Sequence, residues 1–179
     1  VRQLDRHTLI HALRGYQKYF KPWNENDRWL EPHREVDFDL IPGRVIAERL
    51  HAAGASVVVN YWNDEGGVNH GRAEEAVRLL GERAWAVAAD VRQAAEVDQL
   101  LDVAVKQTGR LDFVVNNAAV IRDRTAKKMT DAEWQAVIDT NLTGVFQVCR
   151  AAATRLHDGG RIVNLASISG VVGFFGQAN

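Results

Sequence analysis

The stretch Leu111-Asp112-Phe113-Val114-Val115-Asn116-Asn117, with Arg161-Ile162-Val163-Asn164-Leu165 further along, decides the fold. Each is a short run rich in β-branched residues. Between them the apolar positions fall at helical spacing through Trp134, Val137, Ile138, Leu142, Val145 and Phe146, a set expected to face inward. Thr130 opens that helix with Glu133 three residues later, the spacing of a capping box, and residues 130–156 read as one long helix. Strand, helix, strand in this order is a parallel crossover. The alternation repeats toward the N-terminus. Residues 56–61 are apolar on both faces, as a strand covered on two sides must be. A helix near residues 72–83 and a strand over 84–90 follow, and Val97, Leu100, Leu101 and Ala104 mark one face of the next helix. Before them, residues 43–53 are helical, with Ile46, Leu50 and Ala53 on one side and Gly54 as the stop. The pattern is that of an α/β fold with a doubly wound parallel sheet.

Residues 1–42 do not share that rhythm. All three prolines, Pro22, Pro32 and Pro42, fall here, with Trp23 and Trp29 among many charges. Residues 7–20 fit one amphipathic helix through Leu9, Ile10, Leu13 and Tyr16, and a loop is expected on to Arg34. The expected organisation is an atypical N-terminal segment, 1–42, followed by the α/β domain, 43–179. From the abrupt change in character, the segment reads as a foreign or frame-shifted leader rather than a functional module. At 46% apolar and 25% charged, 179 residues suffice for one buried core. A net charge of −1 with interspersed signs gives no field for nucleic acid or an anionic membrane. No apolar run approaches the roughly 20 residues that span a bilayer, and no secretory signal opens the chain, so it reads as cytoplasmic. The single Cys149 rules out a disulfide framework or cysteine metal cluster and reads as an inert thiol in a reducing compartment.

Three motifs carry chemistry: Asn116-Asn117-Ala118-Ala119, Asn141-Leu142-Thr143-Gly144-Val145-Phe146 and Ser167-Ile168-Ser169-Gly170. Through them residues 43–179 resemble the short-chain dehydrogenases/reductases. The runs Ile121-Arg122-Asp123, Lys128-Met129-Thr130, Val137-Ile138-Asp139-Thr140-Asn141-Leu142 and Gly176-Gln177-Ala178-Asn179 resemble in particular the 3-oxoacyl-(acyl-carrier-protein) and acetoacetyl-CoA reductases of that family. The resemblance implies an incomplete Rossmann-like fold and an NADPH-dependent oxidoreductase of fatty acid biosynthesis. Its substrate would be a 3-oxoacyl thioester carried on acyl carrier protein or coenzyme A, reduced to the 3-hydroxyacyl thioester, and the complete protein would be a homo-oligomer.

The residues sit where that chemistry needs them. Asp90 and Val91 end a strand on the rim where open α/β sheets bind ligands, so a carboxylate and the next amide can meet an adenine edge. Asn117 and Ala118 follow another strand and border the cofactor, with Ala119 standing where family members usually carry Gly. Asn141 is mid-helix, where an amide that competes for main-chain bonds is unfavourable without a task; the resemblance implies that it bends the helix and holds a water in a proton relay. Ser167 matches the serine that hydrogen-bonds the substrate carbonyl oxygen as charge develops there, and Ser169 is its weaker rival. Asn60 occupies the place where an acid would bond a ribose hydroxyl of NAD and repel a 2′-phosphate. Its neutrality favours NADPH, with Asp64 and Glu65 as nearby counter-indications.

Two departures matter. Family members open with an apolar strand and a Gly-rich loop whose backbone approaches pyrophosphate at a helix N-terminus. Here Asp37-Phe38-Asp39-Leu40-Ile41-Pro42-Gly43 stands instead, so only Gly43 can serve as the final glycine. Val36, Phe38 and Leu40 alternate with Asp37 and Asp39, a pattern for one wet face. Replacing a central strand in this way is expected to leave two half-sheets. At the other end, the Tyr of Tyr-x-x-x-Lys is expected directly after Asn179, and Tyr16, Tyr19 and Tyr61 have no Lys at the fourth position. As a truncated chain the protein is expected to be inactive, the alternatives being a non-catalytic module that pairs with intact reductase subunits or a degenerate fragment.

Overall fold

In a computed structural model of the chain, residues 40–179 are described. The expected helix over 7–20, the loop to Arg34 and the alternation at Val36 and Phe38 lie outside them.

Helix α1 spans Leu40–Ala52 and begins three residues before Gly43. Pro42 permits this, since a first-turn residue has no intrahelical use for its N–H. Gly54, at φ 97°, takes the left-handed stop, and the Ala55 N–H closes back on the Leu50 carbonyl at 3.0 Å. Strand β1, Val57–Tyr61, follows. Helix α2, Val68–Leu80, starts four residues earlier than its apolar spacing suggested. The cause is Asp64, whose carboxylate accepts the Val68 and Asn69 N–H groups at 3.0 and 2.8 Å and so supplies the otherwise orphaned first-turn donors. Strand β2, Ala84–Ala88, pairs with β1 in parallel from Val57↔Ala84 to Tyr61↔Ala88.

Helix α3, Ala94–Thr108, buries Val97, Leu100, Leu101 and Ala104 as expected. Strand β3, Leu111–Asn116, pairs in parallel with β4, Leu156–Asn164. The second of these starts at Leu156 rather than Arg161, with a register shift between Leu111 and Phe113 that absorbs the extra residues. Between β3 and β4 runs one unbroken helical stretch: α4, Asp131–Val137, then a π-helical segment, Ile138–Gly144, then α5, Val145–Ala153. The capping box at Thr130 and Glu133 is formed in both directions. A short helix, α6, Ser169–Val172, comes last.

The inward set assigned to the long helix needs correction. Trp134, Leu142 and Phe146 are 44%, 64% and 58% exposed. Val137 is buried as expected, and the helix otherwise buries Gly144, Gln147, Val148 and Ala152. These mostly small residues let it lie close on its neighbours, and the bulky side chains point outward. The core gathers Val97, Leu101, Leu111, Val114, Val148 and Ala152, with Val91, Leu156 and Ile162 packed against it.

The described strands form two two-stranded sheets, β1–β2 and β3–β4. Among the described residues no strand joins them. Backbone bonds fix which groups look into the break. The Val57 N–H reaches the Arg83 carbonyl and the Tyr61 carbonyl accepts the Ala89 N–H, so odd-numbered residues of β1 face β2. Val58 and Asn60 therefore present their N–H groups to the opposite edge, because a residue in a parallel ladder directs both main-chain groups to one neighbour. By the same parity, the Asn116 carbonyl accepts the Leu165 N–H, leaving the N–H groups of Phe113 and Val115 on the edge of β3 away from β4.

Candidate active site

The carboxyl ends of the four strands carry the residues singled out in the sequence. At the end of β3, a Cβ built on Gly43 would lie 2.7 Å from Asn117 Nδ2, so the start of α1 lies against the Asn117 side chain. Asn116 Nδ2 donates to Asn164 Oδ1 at 2.7 Å and ties the ends of β3 and β4 together. Val91, Asn116, Ala118, Thr140, Gly144, Val145 and Val148 line a shallow depression of about 160 Å³ that opens to solvent. It is an open dent in the rim rather than an enclosed cavity. Val91 is wedged there, its Cγ2 2.9 Å from where a Cβ on Gly144 would sit.

Asp90 is tightly engaged. Its carboxylate accepts the Arg92 main-chain N–H at 2.9 Å and is gripped by Arg92 Nε at 2.9 Å and Nη2 at 2.6 Å. The side-chain bonds from Arg92 hold the Asp90 carboxyl below its ordinary range against an opposing desolvation effect. The same guanidinium lies 5.6 Å over the ring of Trp62, giving that half-exposed residue a contact beyond packing. Asn60 turns its amide along the strand ends, donating to the carbonyls of Val87 at 3.3 Å and Ala89 at 3.0 Å. Asp64, one of the two acids near the ribose position, is committed to the start of α2, and the Asn69 N–H lowers its pKa first among several causes.

Asn141 stands at the centre of the π-helical segment. Its Oδ1 accepts the Val120 N–H at 2.8 Å and its Nδ2 donates to the Val120 carbonyl at 2.9 Å, satisfying both main-chain groups of one loop residue. A π-helical turn inside an α-helix is costly and concentrates at functional sites. The loop after Val120 is held from the other side as well: Gln177 Nε2 donates to Asp123 at 3.1 Å, and Asn179 Nδ2 to the Arg122 carbonyl at 3.2 Å. Ser167, exposed beyond β4, donates from Oγ to Ser169 Oγ at 3.0 Å, so the two rivals form a pair.

Sequence reasoning passed over Arg92, Gly144 and Gln147. Gln147 is buried, and its Nε2 donates to the Arg92 carbonyl at 2.9 Å. The signal was present in the spacing Val137, Gly144, Val148 and Ala152, which places Gln147 on the inward side.

A family model described as "Enoyl-(Acyl carrier protein) reductase" matches residues 43–179. The chain belongs to the short-chain dehydrogenase/reductase family. Relatives of this family include a 3-oxoacyl-[acyl-carrier-protein] reductase of Synechocystis, 42% identical over 140 residues that cover 76% of this chain and 56% of the relative. A reductase of the same description, FabG of Staphylococcus aureus, is 40% identical over 142 residues with the same coverages. Among solved structures, a Brucella melitensis short-chain dehydrogenase/reductase of the glucose/ribitol dehydrogenase type superposes with a TM-score of 0.69 at 32% identity. It is covered over 56% of its length, against 76% of this chain. A Serratia marcescens short-chain dehydrogenase/reductase variant gives 0.68 at 31%, covering 76% of this chain and 55% of that structure. The chain spans about half the length of the curated relatives it matches. Membership implies a nicotinamide cofactor. Val91 and Ala118, two of the residues expected to meet it, line the same depression, while the residues before Leu40 are outside the described ones. No described helix is long and apolar enough to cross a membrane.

Proposed function

We propose that this site belongs to an NADPH-dependent reduction of a 3-oxoacyl thioester to the 3-hydroxyacyl thioester, with the acyl group on acyl carrier protein or coenzyme A. The observation that carries the reading is the double clamp of Asn141 on Val120 from within a π-helical turn, because it fixes the loop beyond Asn117 and Ala118 along the cofactor rim. The cofactor, when bound, supplies hydride to the ketone carbon. Val91 and Ala118, on the walls of one depression, would meet it there, Asn117 would border it, Gly43 lets α1 come close, and Asn60 leaves the ribose position free of an acid. Ser167 Oγ donates to the substrate carbonyl oxygen as negative charge grows there, with Ser169 Oγ holding the hydroxyl beside it. The Asn141 amide is spent on Val120, so the main chain of the π-helical segment is the part of Asn141 that would hold a relay water.

The 179 residues contain no Tyr with Lys at the fourth following position. A Tyr, with an ordinary pKa near 10, needs such a cation to donate a proton near neutrality. Assayed as it stands, this polypeptide is expected to leave NADPH unoxidised in the presence of acetoacetyl-CoA. NMR titration of the labelled chain checks the cofactor assignment. NADPH is expected to shift amides at residues 60–62, 90–92 and 116–120, more strongly than NADH at equal concentration. Shifts elsewhere, or a larger response to NADH, contradict it.

A second reading, association with intact reductase subunits, has its own support in the exposed apolar row Trp134, Leu142 and Phe146 on the long helix. Co-purification with a full-length homologue is the result expected of that reading, and a product that stays monomeric beside the homologue speaks against it.

A further inference from the structure

We infer that Gln147 is a positioning residue for the Asp90–Arg92 turn, pinning the adenine-side rim of the groove to the same helix whose Asn141 pins the opposite rim. The inference rests on the proposed cofactor role of that rim, though the contact itself does not.

Gln147 is the buried polar residue of the described core, 9% exposed on the inward face of α5. Its Nε2 donates to the Arg92 carbonyl at 2.9 Å across 55 positions of sequence, while its Oε1 is buried without a partner. An unpartnered buried acceptor is a cost that a methionine of similar length avoids, so packing alone does not call for glutamine here. What the glutamine gains is a fixed turn. Arg92 is where that turn is organised: its N–H and guanidinium hold the Asp90 carboxylate, its side chain covers Trp62, and the Gln93 N–H closes the turn on the Asp90 carbonyl at 2.9 Å. Asp90 N–H is capped in turn by Glu96 Oε2 at 2.8 Å.

The geometry on the helix completes the case. Gly144, three residues before Gln147, packs against Val91, whose Cγ2 lies 2.9 Å from where a Cβ on the glycine would sit, so the helix meets this turn at Gly144 as well as at Gln147. Asn141, within the π-helical segment, makes the Val120 clamp. Asn141, Gly144 and Gln147 thus each meet a different loop residue at the carboxyl rim. One helical stretch sets the separation of the two loops between which a dinucleotide would lie.

Amide exchange and side-chain NMR on the whole chain test this without any bound cofactor. In Gln147→Met the protection of the Asp90, Arg92 and Gln93 amides is expected to fall by about tenfold, the scale of one hydrogen bond. The ring-current shift of the Arg92 side chain over Trp62 is expected to diminish with it. Protection of the α3 amides beyond Leu100 and of Val120 stays at the wild-type level. Gln147→Leu, which likewise offers no donor to the carbonyl and buries no charge, gives the same local loss and serves if the methionine variant does not fold. Wild-type protection and an unchanged Arg92 shift in a folded variant overturn the inference, as does loss spread evenly over α3, which marks a packing role only. A chain that proves unable to bind NADPH counts against the proposed function and leaves these exchange results to decide the role of Gln147.

Discussion

The β1–β2 half of the molecule and the β3–β4 half are each two parallel strands covered by helices, yet only the second rests on a cluster of larger buried side chains. Val97, Leu101, Leu111, Val114 and Val148 lie beneath β3 and β4, whereas the first half buries Ala47, Val57, Ala73, Ala84 and Ala89. The stitching differs too. Asn60 bonds carbonyls at the ends of its own sheet, while Asn116, Asn141 and Gln147 join separate elements over 21 to 55 positions of sequence. The half that would hold the reacting end of a cofactor is the better consolidated, and the half at the ribose end depends on local bonds.

The comparison is broken most readily in the core. Leu101→Ala is expected to cost about 2–5 kcal/mol in urea unfolding, and Val57→Ala clearly less. Equal costs would erase the difference between the halves. Next come the two asparagines. Asn141→Ala leaves the Val120 N–H and carbonyl unpaired in a partly buried loop and is expected to cost about 1–3 kcal/mol, whereas Asn60→Ala is expected to cost about 1 kcal/mol, the net value of an ordinary bond. A larger loss at Asn60 would reverse the ranking.

The smallest effect is that of acid. Arg92 holds Asp90, and Thr130 with Arg124 holds Glu133, below their ordinary values. A carboxyl lowered in the folded state stabilises above its unfolded pKa, near 4, and loses that contribution as the pH falls through the folded value. Stability is therefore expected to be level from neutrality to about pH 5 and to decline below about pH 4. Both carboxylates are partly buried, but each meets an arginine that stands open to solvent, so each pair adds little. A decline that sets in near pH 6 would point to histidine instead.

Much of this was legible in sequence for a physical reason: periodicity reports burial on each face of an element. The four strands, the α3 face through Val97, Leu100, Leu101 and Ala104, and the Thr130 capping box all rest on local spacing and stand in the structure. The site motifs were legible through resemblance, and the comparisons show the family they point to. What escaped depended on contacts between distant elements. The start of α2 was misplaced because Asp64 caps it from the preceding loop. The outward turn of Trp134, Leu142 and Phe146 was hidden because large apolar residues are equally good candidates for an inward face until the small residues opposite are seen to touch. Gln147 was overlooked because a polar residue in a helix reads as solvent-facing unless its acceptor, the Arg92 carbonyl, is known.

The split between the half-sheets is tested most directly by residue-level amide exchange along β1 and β3. Slow exchange is expected at Val57 and Val59 and at Val114 and Asn116, which face a paired strand, with fast exchange at Val58 and Asn60 and at Phe113 and Val115, which face the break. Uniform protection along both strands would show that a further strand fills the space between them, and the account of two separately held half-sheets would be wrong.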